Sequence, residues 1–197
     1  MRNLFLALAI FTCLICNAQK TNAVEFADTI DENELKAMLY VYASDYFGGR
    51  ETGERGQKIA VDFLKDYYIN QEIESASGTE GYFQKMQLTI KKKEVNTENV
   101  VAIIPGSEFP NQYIVISAHL DHIGTIDGEV NNGADDDGSG TVAILEIAEA
   151  FKEAVKNGHG PKRSILFLHV TGEEKGLLGS DYYVNNPLYP LEKTVAN

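Results

Sequence analysis

Three short segments hold the residue types needed for metal-assisted hydrolysis. They are His119-Leu120-Asp121-His122, the glycine-bounded Asn132-Gly133-Ala134-Asp135-Asp136-Asp137-Gly138-Ser139-Gly140, and Thr171-Gly172-Glu173-Glu174. Zinc accepts imidazole and carboxylate ligands, and a two-metal site commonly uses one carboxylate that bridges both ions. Where Asp121 follows His119 by two positions, the acid can hold the imidazole in the tautomer that turns its other nitrogen to metal. Of two adjacent glutamates, one can bind metal while the other faces the reacting water, first as general base and then as general acid. Three acids at a helix entry, among glycines that permit unusual backbone angles, are costly without a purpose.

Each segment alone has an ordinary explanation. A His-x-Asp after a strand can be structural, an Asp-rich turn can cap a helix, and a Glu-Glu pair can be a solvated face. Their joint placement argues otherwise. Tyr113-Ile114-Val115-Ile116-Ser117-Ala118 is a continuous apolar run of strand length, and Ser164–Val170 is another; such runs mark strands covered on both faces. His119 follows the first and Glu173 the second, the strand ends where open α/β sheets place their sites. Between them a long helix starts near Ser139, with Val142, Leu145, Ala148, Phe151 and Val155 on one face and Glu146, Glu149 and Glu153 on the other.

Upstream, helical spacing covers Leu35, Met38, Leu39 and Tyr42, then Ile59, Ala60, Phe63, Leu64 and Tyr67. Tyr82–Lys92 and Glu98–Ile104 read as strands, and Gly176–Val184 reads as a helix. Strands alternating with helices predict an α/β fold with helices on both faces of the sheet. The 197-residue length fits one domain. A net charge of −12 excludes a nucleic-acid footprint, and Lys91-Lys92-Lys93 reads as the solvated end of a strand. The acids concentrate near Asp121–Asp137 and at Glu173-Glu174, where like charges repel unless cations neutralise them. His159 reads as an exposed turn residue, His169 as a packed core residue, and His122 as lining the rim of the site.

The first eighteen residues read as a signal peptide. Arg2 precedes an apolar run, Leu4 to Ile15, too short to span a membrane, and Asn17-Ala18 offers a small-residue cleavage site. Cleavage after Ala18 removes Cys13 and Cys16 with the leader, leaving no thiol chemistry. The expected location is secreted or periplasmic, without stable membrane insertion. A lipid anchor at Cys16 is disfavoured by the bulky Ile15. Residues 19–31 read as a flexible lead-in, and 32–197 as the domain.

The three segments together resemble the M28 family of zinc peptidases: Val115–Gly124, Asn132–Gly140, and Thr171-Gly172-Glu173-Glu174-Lys175-Gly176-Leu177-Leu178-Gly179-Ser180. Gly49-Arg50-Glu51-Thr52-Gly53 resembles a segment found upstream in that family. The resemblance implies a three-layer αβα fold with a mixed sheet and a co-catalytic pair of Zn2+ ions. It implies His119 on one metal with Asp121 orienting it, Asp136 bridging both through a strained peptide to Asp137, Glu174 on the other metal, and Glu173 as general base. The implied activity is release of N-terminal amino acids from peptide substrates.

The family adds a later Asp and a much later His as further ligands. The sequence stops at Asn197, so the resemblance implies the N-terminal portion of a longer domain whose C-terminal part is missing. In isolation that portion would bind metal weakly and turn over little. Two other readings stay open. One is a glutaminyl-cyclase-like enzyme on the same fold; the other is a binding module or inactive fragment without metal.

Overall fold

The computed structural model describes residues 23–197. The signal-peptide reading and both cysteines lie outside that range. Two apolar strands form its centre. β4 (Phe109–His119) and β7 (Arg163–Val170) run parallel, with Ala118 opposite His169 and His119 opposite Val170. β3 (Lys93–Ile104) pairs antiparallel with the other edge of β7. β1 (Glu74–Ser75) and β2 (Phe83–Ile90) both pair with β3, and β8 (Thr194–Ala196) runs parallel to β4. The order across the mixed sheet is β1-β3-β7-β4-β8, and β5 (Thr125–Ile126) and β6 (Glu129–Val130) form a separate small ribbon.

Alternation along the strands sends side chains to two cores. Val100, Ala102, Ile104, Ile165 and Phe167 meet the helices α2 (Glu32–Tyr42), α3 (Arg55–Asn70) and α4 (Ser139–Lys156). Val101, Ile103, Leu166, Leu168 and Val170 pack on the opposite face with Tyr183 of α5 (Leu178–Asn185), and with Leu188 and Tyr189. Helices therefore cover both faces, as the sequence predicts. Asp31 caps α2, its carboxylate accepting the N–H of Asn33 at 2.8 Å and of Glu34 at 3.1 Å. No described helix is long and apolar enough to cross a membrane.

Four details differ from the sequence reading. Lys91 and Lys92 both have positive φ (48° and 65°), so they form the two-residue turn of a β2–β3 hairpin rather than a strand end. β3 consequently starts at Lys93, not Glu98. Within the predicted lead-in, Ala23–Ala27 form a short helix, α1, which packs on α4; the Phe26 ring lies 5.8 Å from that of His159. On α4, Val155 is exposed while Glu146 is buried. Glu146 lies close to α2, where burial raises its pKa and the backbone N–H of Asp31 opposes the rise.

His169 is fully buried on β7, as the sequence predicts, with Nε2 2.7 Å from the Tyr68 hydroxyl. Burial pushes its pKa from 6.5 down to about 3, so the folded chain holds it neutral. Below pH 6.5 the unfolded chain takes up a proton that the folded chain refuses. Stability present above that pH is therefore lost on acidification, by about 1.4 kcal/mol per pH unit, until the folded group itself titrates. Urea denaturation at pH 7 and pH 5 tests this: His169→Gln should lose about 2 kcal/mol less than wild type between the two. Equal losses would assign the acid sensitivity to other groups.

Candidate metal centre

The carboxyl ends of β4 and β7 bring the three segments together. β4 ends at His119, whose carbonyl accepts the Thr141 hydroxyl of α4 at 2.9 Å. The Nδ1 of His119 lies 3.0 Å from the backbone carbonyl of Asp121. A carbonyl only accepts, so Nδ1 carries the proton and Nε2 keeps its lone pair when the ring is neutral. That Nε2 lies 2.9 Å from Oδ1 of Asp136. The middle acid of the loop is therefore the one that meets the histidine.

Its neighbour is committed elsewhere. Asp137 accepts the backbone N–H of His119 at 3.2 Å and of Gly140 at 3.1 Å, tying the loop to the strand end and opening α4. The Asp136–Asp137 peptide is cis. The turn Ala134–Gly138 is closed by the Gly138 N–H donating to the Gly133 carbonyl at 3.0 Å. Gly133 has φ +52°, and a Cβ there would meet the Asp136 carbonyl oxygen and the His122 ring at 2.5 Å. Only glycine fits without displacing both.

Asp121 is fully buried and stands behind the histidine rather than on it. Its carboxylate accepts the Thr52 hydroxyl at 2.7 Å and the Glu173 N–H at 3.1 Å, while its Oδ1 is 3.9 Å from His119 Nδ1. Contact with the imidazole is thus made by the Asp121 main chain. Burial raises the pKa of this carboxyl, and the two hydrogen bonds and nearby His119 oppose the rise.

After β7, the buried Asn99 of β3 accepts the Thr171 N–H at 2.9 Å and donates to the Gly179 carbonyl at 3.0 Å. This pins both ends of the turn that carries Glu173 and Glu174. Glu174 lies with Oε1 2.7 Å from Nδ1 of His122, yet the two atoms lack hydrogen-bond geometry. Both are buried and without a hydrogen-bond partner among the described residues. Ligand atoms of His122, Asp136 and Glu174 all fall within 4.8 Å of one another. The half-buried Glu173 carboxylate has no such partner among the described residues.

These contacts form two imidazole–carboxylate pairs, His119 with Asp136 and His122 with Glu174. The first pair is in hydrogen-bond contact, whereas the second is orphaned in a buried place, its nitrogen and oxygen 2.7 Å apart without a hydrogen bond. Such atoms are expensive unless a proton or a cation lies between them. Zinc's preference for nitrogen and oxygen donors fits this set. The model of peptidase family M28 matches residues 99–197. The chain belongs to that family.

Among curated relatives, leucine aminopeptidase 1 of Ajellomyces capsulatus is 31% identical over 160 residues. The match covers 79% of this chain and 39% of the relative, so the chain spans about two fifths of that protein. Among solved structures, a Zn-dependent exopeptidase from Parabacteroides distasonis superposes with TM-score 0.65 at 20% identity, over 82% of this chain and 57% of that one. A glutaminyl cyclase from Porphyromonas gingivalis also reaches TM-score 0.65, at 19% identity, over 81% and 56%. Both establish the fold.

Within the M28 frame, His119, Asp121, Asp136, Glu173 and Glu174 all gather at the carboxyl ends of β4 and β7. His122 was read from the sequence as a rim residue; the structure places it against Glu174. Its signal was its spacing from His119, which a turn converts into proximity to a different segment. The role of Thr52 carried no sequence signal, because its partner lies 69 residues away. Removing that hydroxyl should leave a buried carboxylate with one donor fewer. Thr52→Val should therefore lower stability by about 1.5–3 kcal/mol, read from urea denaturation at pH 7. A loss below about 0.5 kcal/mol would show that the Glu173 N–H suffices.

Proposed function

We propose that the protein is an exported zinc-dependent aminopeptidase acting on peptides. The reading is carried by the convergence of His119, His122, Asp136 and Glu174 at the carboxyl ends of β4 and β7, beside a Glu173 carboxylate without a hydrogen-bond partner among the described residues. Membership of M28 and the leucine aminopeptidase relative support it. Export is supported by the sequence of the first eighteen residues.

His119, Asp136 and Glu174 would hold the zinc, with Asp136 shared between two ions and His122 as an added donor beside Glu174. Bound zinc would supply Lewis acidity, making a water more acidic and a carbonyl more electrophilic. Glu173 then takes the proton from the attacking water and returns it to the departing amine. Asp121 keeps the His119 turn in place through its own main chain and its bonds to Thr52 and Glu173. The acidic cluster also suits a substrate with a free, positively charged N-terminus.

Protein expressed from the complete coding sequence should contain two zinc ions by elemental analysis. Glu173→Gln should keep that zinc and lose turnover of an amino-acid anilide by about 10²-fold or more. Absence of zinc would sink the site assignment. Pyroglutamate formation in place of anilide cleavage would replace the peptidase reading with a cyclase.

A further inference from the structure

Arg50 is almost wholly buried, at 1% exposure, yet no carboxylate among the described residues accepts a hydrogen bond from it. Its guanidinium spends its donors on backbone carbonyls of separate segments. Nε donates to Leu120 at 3.0 Å. One Nη donates to Tyr42 at 3.1 Å and Asn132 at 2.7 Å, and the other to Gly133 at 2.8 Å. The group sits 4.6 Å over the Tyr42 ring, whose hydroxyl donates to the same Leu120 carbonyl at 2.9 Å.

The recipients lie at the candidate metal centre. Leu120 stands between His119 and Asp121. Asn132 and Gly133 open the acidic loop, and Gly133 lies against the His122 ring and the Asp136 carbonyl. The Arg50 backbone grips the first segment again, its carbonyl accepting the His122 N–H at 3.3 Å, while Gly49 accepts the Gly124 N–H at 3.0 Å. With φ at 50°, Arg50 turns its side chain inward while its peptide lies along this loop. One residue therefore ties the segment bearing both histidines to the loop bearing Asp136.

We infer that Arg50 is a positioning residue for the metal centre: its planar fork sets the spacing between the His119–His122 turn and the Asp136 loop. This rests on the metal-site reading above. The fork matters as well as the charge. A lysine could place a cation in the same space, but its single nitrogen has three donors and cannot span carbonyls of three segments in one plane.

Arg50→Lys separates the two contributions. Zinc affinity would be measured for protein expressed from the complete coding sequence by competition with a chromophoric chelator, at a temperature where circular dichroism shows wild type and variant folded. The control is whichever of Leu64→Val and Leu64→Ala melts closest to Arg50→Lys, since Leu64 is buried in the helix-side core. Arg50→Lys should weaken zinc binding at least tenfold, while the control stays within twofold of wild type. Wild-type affinity in Arg50→Lys, or an equal loss in the control, would overturn the inference. Should Arg50→Lys not fold, Tyr42→Phe takes its place, because it removes the hydroxyl that shares the Leu120 carbonyl. A loss of about threefold is then expected, and unchanged affinity overturns the inference. If wild type takes up no zinc, the metal reading itself fails and this inference falls with it.

Discussion

Five carboxylates, those of Asp121, Asp136, Asp137, Glu173 and Glu174, meet where β4 and β7 end, and the rest of the structure has to make that crowding tolerable. Unscreened repulsion at these separations amounts to several kcal/mol per pair at a protein surface. The fold answers by giving the acids different partners. Asp137 is consumed by backbone N–H groups of His119 and Gly140. Asp121 is held by Thr52 and the Glu173 N–H. Asp136 and Glu174 each face an imidazole. Arg50 brings a permanent positive charge behind them, and Asp121, Asp136 and Asp137 all favour its charged form against the penalty of burial.

The sheet makes this arrangement possible. Because β4 and β7 are parallel neighbours in register, with His119 opposite Val170, their following turns emerge side by side. The connection between them is the β5–β6 ribbon, the acidic loop and α4, which returns across the face that α2 and α3 also cover. Each segment is held by a different part of the scaffold: Thr141 of α4 for His119, Asn99 of β3 for the Glu173–Glu174 turn, and Gly49–Arg50 for His122 and Gly124. A site assembled on loops thereby acquires the rigidity of the elements beneath it.

Much of this was legible in the sequence because it is local. Apolar runs marked β4 and β7, helical periodicity marked α2, α3 and α4, and the order of His119, Asp136 and Glu174 marked the site. What stayed hidden depends on contacts distant along the chain. Nothing near Arg50 says that its donors reach Leu120, Asn132 and Gly133, and nothing near Glu146 says that it faces α2 rather than solvent. The Lys91-Lys92 turn was hidden for a different reason. Residues in a two-residue hairpin adopt positive φ under pressure from the paired strands, so a turn can form without the Asn or Gly that would announce it.

Burial orders the acids in a way that bears on chemistry. Asp121 is at 0% side-chain exposure, Glu174 at 18% and Asp136 at 65%. The innermost carboxylate relies on donors fixed in the protein, a hydroxyl and a peptide N–H, which remain whatever occupies the site. Asp136 relies on the His119 nitrogen, and Glu174 faces the His122 nitrogen without a hydrogen bond; both imidazoles can instead serve a cation. Permanent compensation is thus kept for the charge that water cannot reach, and exchangeable compensation for the more accessible charges. A loss of the partner of Asp136 costs solvation that water can restore, whereas a loss of the donors to Asp121 leaves a buried charge short of hydrogen bonds. The same gradient explains why the segment around Arg50 and Thr52, which touches no candidate zinc donor except through backbone, is built into the core: it supports the end of the cluster that solvent cannot.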